Sequence, residues 1–227
     1  MRMHKTKNTW RIDGDTLVLL NRADGVEIYC PAASAPYVLQ HTWRIWYRKN
    51  GKVHCVETNI LDPRGGRRAD GCAKNTVLRL HTLILENAPE NVRRPGQTEI
   101  DHIDGNPLNN RLDNLRWVTP SVNQQNTRDA QGNPRRGICR KTDWRRSRPW
   151  EARIRVDGKS VEKKYFSTAR EAEEQYLIWK RQYHTETPEI WYEQYAACQA
   201  SGYWDAPAPT NSSAPAPATL FESMESR

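Results

Sequence analysis

Cysteine is scarce in this chain: Cys30, Cys55, Cys72, Cys139 and Cys198 are all it has, and no two stand at CxxC spacing. The odd count and the missing pairs argue against a disulfide framework and against a structural zinc site. A signal-peptide apolar core is lacking, and so is any apolar run of membrane-spanning length. The expectation is a soluble, cytoplasmic protein. Hydrophobic residues are only 37% of the 227 and charged residues 27%, so small packed cores are expected rather than one large core.

An excess of either charge is also lacking over most of the chain. Residues 131–184 hold 15 Lys and Arg against 7 Asp and Glu, while the remainder holds 20 of each sign. The whole formal charge of +8 therefore sits in one short segment. Such segregation is the electrostatic footprint of a polyanion binder, nucleic acid first. A membrane surface fits less well, because these basic residues fall on predicted strands and not on an apolar-faced helix.

The order of elements reads as follows. Residues 9–75 form a strand-rich region, with strands at 15–20 and 26–30, a short helix within 30–40, and a hairpin over 41–58 around Asn50-Gly51. Residues 76–89 begin as a strand and turn helical before Pro89. "TEIDHI" (98–103) and "LRWVT" (115–119) are two strands joined by a loop dense in Asn, Asp and Gly. Thr119 is placed to cap a short helix that starts at Pro120. After a linker, strands at 136–140, 150–156 and 160–166 precede a helix over 168–184, with Thr168 and Glu171 at capping-box spacing. The middle strand alternates Trp150, Ala152, Ile154 and Val156 against Glu151, Arg153 and Arg155. The apolar set would pack on Ala169, Ala172, Tyr176, Trp179 and Tyr183 of the helix and leave the other face basic. Residues 185–205 are aromatic-rich and weakly helical in pattern. The Pro-, Ala- and Ser-rich tail, 206–227, is expected to be disordered. The fold class is α+β.

The stretch "EIDHIDGNPLNNRLDNLRWVTPSVNQQN" (99–126) carries the chemistry. Phosphodiester hydrolysis needs a base for water and a cation to offset charge on the phosphate and leaving oxygen. Adjacent residues on a strand face opposite ways, so Asp101 can hold a metal while His102 faces water. A hairpin followed by a helix can bring Asn123 beside Asp101. Carboxylate and amide oxygens are hard donors that suit Mg²⁺ or Mn²⁺. Asn114 could hold the second His102 nitrogen and fix its tautomer.

This stretch resembles the HNH endonuclease motif of phage and homing enzymes, in its ββα-metal form. The resemblance rests on Asp101-His102, on Asn114-Leu115 twelve residues after the histidine, and on Asn123 twenty-one after it. It implies Asp101 and Asn123 as metal ligands, His102 as general base, Asn114 as its orienting residue, and Mg²⁺ or Mn²⁺ as cofactor. Asn123 stands where the family often has His, which makes this an H-N-N variant. "RLHTLILENAP" is similar to the segment preceding the motif in phage-type proteins, with Thr82 where Arg usually follows His81. The nuclease module is then residues 76–130, in a bacterial or phage-infected cell.

"RGICRKTDWRRSRPWEARIRVDGKSVEKKYFSTAREAEEQYLIWKRQYH" is similar to the plant ethylene-response-factor (Apetala-type) DNA-binding domain, here residues 135–184. The resemblance implies a sheet face in the major groove, contacting DNA through Arg136, Arg140, Arg145, Arg153, Arg155 and Lys163, with Trp144 and Trp150 beside them. Arg79, Arg111, Arg116 and Arg128 flank the nuclease motif and are candidates for phosphate contact. The combined expectation is a metal-dependent homing-type endonuclease acting on double-stranded DNA. A catalytically inactive DNA-binding regulator and an RNA-cleaving enzyme are the alternatives.

Overall fold

The computed structural model describes residues 8–21, 23–49, 51–88, 90–129, 133–135, 137–142 and 147–204. The tail from residue 206, and Asn50, Arg136, Trp144 and Arg145, lie outside the described residues. The described residues form a mixed α+β arrangement of small antiparallel sheets and five α-helices. No helix among the described residues is long and apolar enough to cross a membrane.

The first sheet has the order β1-β2-β3, from Thr9–Asp13, Thr16–Leu20 and Glu27–Pro31. Its central strand buries Leu17, Val18 and Leu19, while β1 is exposed along its whole length. Helix α1 (Ala35–Val38) follows. A second sheet pairs β4 (Arg44–Tyr47), β5 (Val53–Leu61) and β6 (Asn75–Arg79). Strand β6 runs directly into α2 (Leu80–Glu86), the expected change from strand to helix. Next come the hairpin β7 (Glu99–His102) and β8 (Leu115–Val118), then α3 (Pro120–Gln125). The Thr119 hydroxyl accepts from Val122 N at 3.2 Å, the cap read from the sequence.

One apolar core joins these parts. Leu17, Leu19, Ile28 and Cys30 of the first sheet pack with Leu80, Ile84 and Leu85 of α2 and Leu115 of β8. The boundary expected near residue 75 therefore runs through a single buried cluster. Burying each Leu-sized side chain contributes roughly 1.5–3 kcal/mol, so the first sheet supplies much of what holds the hairpin in place.

The last sheet has the order β11-β10-β9, from Lys159–Phe166, Trp150–Val156 and Ile138–Arg140. Helix α4 (Ala169–Tyr183) covers one face, with the Thr168–Glu171 capping box formed in both directions. Ala152, Ile154, Ala172, Tyr176 and Trp179 are buried between them. Helix α5 (Glu189–Ala200), only weakly patterned in the sequence, closes this second core with Trp191 and Tyr195.

Candidate active site

Strand β7 sorts its side chains by alternation. Glu99 and Asp101 face α3, and His102 faces the other way. Asn123 Nδ2 donates to Glu99 Oε2 at 2.6 Å. Asn126, which ends α3, donates from Nδ2 to Asp101 Oδ1 at 2.9 Å and to His102 O at 2.9 Å. Arg116, opposite Asp101 in the β7–β8 register, donates from Nε and Nη2 to Asp101 Oδ2 at 3.0 and 2.8 Å. Asp101 is 5% exposed, so this carboxylate depends on those partners for its hydrogen bonding.

His102 sits in a separate enclosure. Its Nε2 lies 3.3 Å from Asn110 Oδ1, and its ring meets His81 edge to face at 5.3 Å. Burial pushes the His102 pKa below the ordinary histidine value, against the pull of Asn110, Asp104 and Asp101. His81 is driven down to about 3, by burial first and then by His102 and Arg79. Both shifts favour the neutral ring, the form in which an imidazole can accept a proton.

Asn114 does not hold His102 in this arrangement. Its side chain accepts from Asp104 N at 3.0 Å and donates to Asp104 Oδ1 at 2.9 Å and Asn109 O at 2.8 Å. It shapes the loop from within, and the loop then brings Asn110 to the histidine. That loop is also tied to the first sheet: Tyr29 N donates to Leu108 O at 2.9 Å, and Asn110 N donates to Tyr29 O at 2.8 Å. Arg111 Nε reaches Thr16 Oγ1 at 3.2 Å and its guanidinium lies over the Tyr29 ring. Arg111 is thus engaged within the protein, and so are two more of the arginines expected to meet phosphate, Arg116 on Asp101 and Arg128 at Asn126 and Gln194.

Sequence reasoning missed Glu99, Asn110 and Asn126. Glu99 had a signal, since it shares the β7 face with Asp101. Asn126 follows Asn123 by three residues and so shares its helix face. Asn110 was one of many loop asparagines, with nothing local to single it out.

As a cation site the donors on this face are two carboxylates and the Asn123 amide oxygen. These hard donors fit Mg²⁺ or Mn²⁺ better than zinc. No group of three or more His, Cys, Asp or Glu is gathered for a metal among the described residues. Arg116 uses both acceptor positions of Asp101 Oδ2, whereas Oδ1 keeps capacity beside Asn126.

On the last sheet, Arg153 and Lys163 are cross-strand partners, so like charges stand side by side. Arg140 pairs with Trp150, which places it on the α4 side of the sheet, away from Arg153. The expected open face is not uniformly basic and solvated: Glu151 is 4% exposed, with Lys141 at 3.1 Å and Arg153 at 2.8 Å. Burial pulls the Glu151 pKa up, but Lys141, Tyr165 and Arg153 hold it below the ordinary glutamate value.

Residues 81–125 match the HNH endonuclease family, which covers both histidines, the hairpin and α3. The chain is also similar to Protein 3.8 of Escherichia phage T7, 41% identical over 82 residues. That alignment takes in 36% of this chain and 64% of the phage protein, just under two thirds of its length. No solved structure matches the chain. The match spans the segment whose geometry sets His102 and Asp101 back to back on one strand, so the similarity to HNH endonucleases falls on the part of the chain that holds both side chains.

Proposed function

We propose that this protein is a metal-dependent DNA endonuclease of the homing type, with His102 as general base and Asp101 and Asn123 as ligands of Mg²⁺ or Mn²⁺. The observation that carries the reading is the division of labour across β7, with a held imidazole on one side and a hard-oxygen face on the other. The bound cation would supply charge stabilisation at the phosphate and the leaving 3′-oxygen. His102 takes the proton from the attacking water. With Asn110 Oδ1 accepting from Nε2–H, the lone pair is on Nδ1. Asn114 maintains the loop that carries Asn110. Glu99 is a further candidate ligand through its contact with Asn123.

The last sheet is proposed to bind the duplex, as its likeness to the ethylene-response-factor domain suggests. Arg153, Arg155 and Lys163 are its contacts among the described residues. Arg140 and Trp150 share the other face and serve at most the sheet edge; Arg136, Trp144 and Arg145 complete the proposed set. The regulator reading draws on one observation, the hold of Arg116 on Asp101. Cleavage of DNA spanning the flanks of the gene, with Mg²⁺ or Mn²⁺, decides between them. Wild type should cut, and His102→Ala should bind equally well but cut about 10²–10⁴-fold more slowly. Binding without metal-dependent cutting by wild type would leave the regulator.

A further inference from the structure

Arg128 lies where the nuclease hairpin meets helix α5. Its Nη1 donates to Gln194 Oε1, and its Nη2 donates to Asn126 Oδ1 at 3.0 Å and reaches Ile103 O at 3.5 Å. Gln194 Nε2 in turn reaches Asp104 O at 3.5 Å. Room for the guanidinium exists because residue 105 is glycine: a Cβ there would stand 2.5 Å from Arg128 Nε. The same Asn126 holds Asp101 Oδ1 through its Nδ2. A continuous polar chain thus runs from α5 through Gln194, Arg128 and Asn126 to the Asp101 carboxylate.

The direction of each bond gives the chain its meaning. An asparagine amide can sit either way round. Asn126 supports Asp101 only with its NH₂ toward the carboxylate and its oxygen toward Arg128. A guanidinium has donors and no acceptor, so the flipped amide would set donor against donor and oxygen against carboxylate. Arg128 therefore acts together with the His102 and Ile103 carbonyls, which also accept from Asn126 Nδ2, in fixing the orientation of Asn126, and Gln194 holds Arg128.

We propose that Arg128 and Gln194 are positioning residues of the nuclease site, through which α5 sets the Asp101 carboxylate. The inference rests on the reading of Asp101 as a metal ligand. It makes the C-terminal part more than a binding arm, because its seating completes a site in the preceding domain.

The test is Mn²⁺ binding by titration calorimetry on the full chain, without DNA and without turnover. Gln194→Leu should weaken Mn²⁺ roughly tenfold, the usual effect of losing support behind a ligand, while Gln194→Glu, which keeps the acceptor, should stay within about twofold. Arg128→Met should lose at least as much as Gln194→Leu. Arg128 is enclosed and its loss can disturb folding, but Gln194 is only half-buried on α5, so circular dichroism should show a native Gln194→Leu protein. Metal affinity equal to wild type in Gln194→Leu would overturn the inference, as would a Gln194→Glu protein as weak as Gln194→Leu. A wild type that binds no Mn²⁺ would instead overturn the metal-site reading, and the inference with it.

Discussion

Asn110 has no exposed surface, and its Oδ1 is 3.3 Å from His102 Nε2. Its Nδ2 donates to Pro107 O at 3.2 Å, which fixes which end of the amide meets the imidazole. Asn110→Ala should therefore free the His102 ring and slow single-turnover cleavage by about 10–100-fold, the scale of an angstrom-level misplacement. It should also cost about 1–2 kcal/mol in urea unfolding, from the hydrogen bonds left unmade. An unchanged cleavage rate would show that the ring is held by other means. Gly105 makes a second residue-scale case. Its φ is +76° and its missing Cβ makes room for Arg128, so Gly105→Ala should destabilise by about 1–3 kcal/mol. A melting temperature equal to wild type would contradict that. Alternation along β7 was enough to place Asp101 and His102 on opposite faces from sequence. Which asparagine meets His102 was not legible, because it depends on how the loop folds back, and four asparagines compete within 106–114.

Helices α3 and α4 meet at one buried cation. Lys180 is 2% exposed, donates to Gln125 O at the end of α3 at 2.7 Å, and lies 4.1 Å from the Trp191 ring centre. A cation at a helix C-terminus is favourable in principle. Here burial, and then the neighbouring Arg128, push its pKa down from 10.5 to about 7. Between those values the unfolded chain binds a proton that the folded chain does not. Lys180 should thus make stability rise with pH above about 7, and its contribution should level off near the unfolded value. The slope from one such group is at most about 1.4 kcal/mol per pH unit. Urea unfolding at pH 7, 8 and 9 should show the rise, and Lys180→Met should flatten it; an equal slope in both proteins would assign it to other groups. The elements at this interface differ in how far sequence revealed them. The Thr168 cap, the alternation over 150–156 and the helix stripe from Ala169 are local patterns, and they gave the last sheet and α4. Helix α5 carries its aromatics on more than one side, so its periodicity is faint. The attachment of the 104–110 loop to Tyr29 pairs residues far apart in the chain through backbone groups, which leave no mark on side-chain pattern.

Across the whole molecule, the first sheet and the β7–β8 hairpin share one core. A fragment of residues 76–130 would expose Leu80, Ile84, Leu85 and Leu115 and lose Tyr29 as the anchor of its loop. It should lack native circular dichroism and dispersed amide resonances, whereas a folded fragment would show that the first sheet is dispensable. The charge of the molecule leads to a final expectation about substrate. The excess of +8 lies in residues 131–184, and on the open face of the last sheet it is divided unequally. Arg153 is spent in part on Glu151, while Arg155 is exposed and Lys163 stands beside Arg153. If about six phosphates are neutralised, log binding constant against log salt should fall with a slope near −5. Removing Arg155 and Lys163 together should make that slope shallower by about 2. Arg153→Ala should change it less, because its charge already serves Glu151, whose carboxylate would then lean on Lys141 alone of its two cations. Fluorescence anisotropy on duplex DNA between 50 and 300 mM salt, as about a sixfold range, is wide enough to resolve these slopes. A flat response would remove nucleic acid as the partner of this sheet, and an Arg153→Ala effect as large as the double variant's would mean that the Glu151 pair opens on binding.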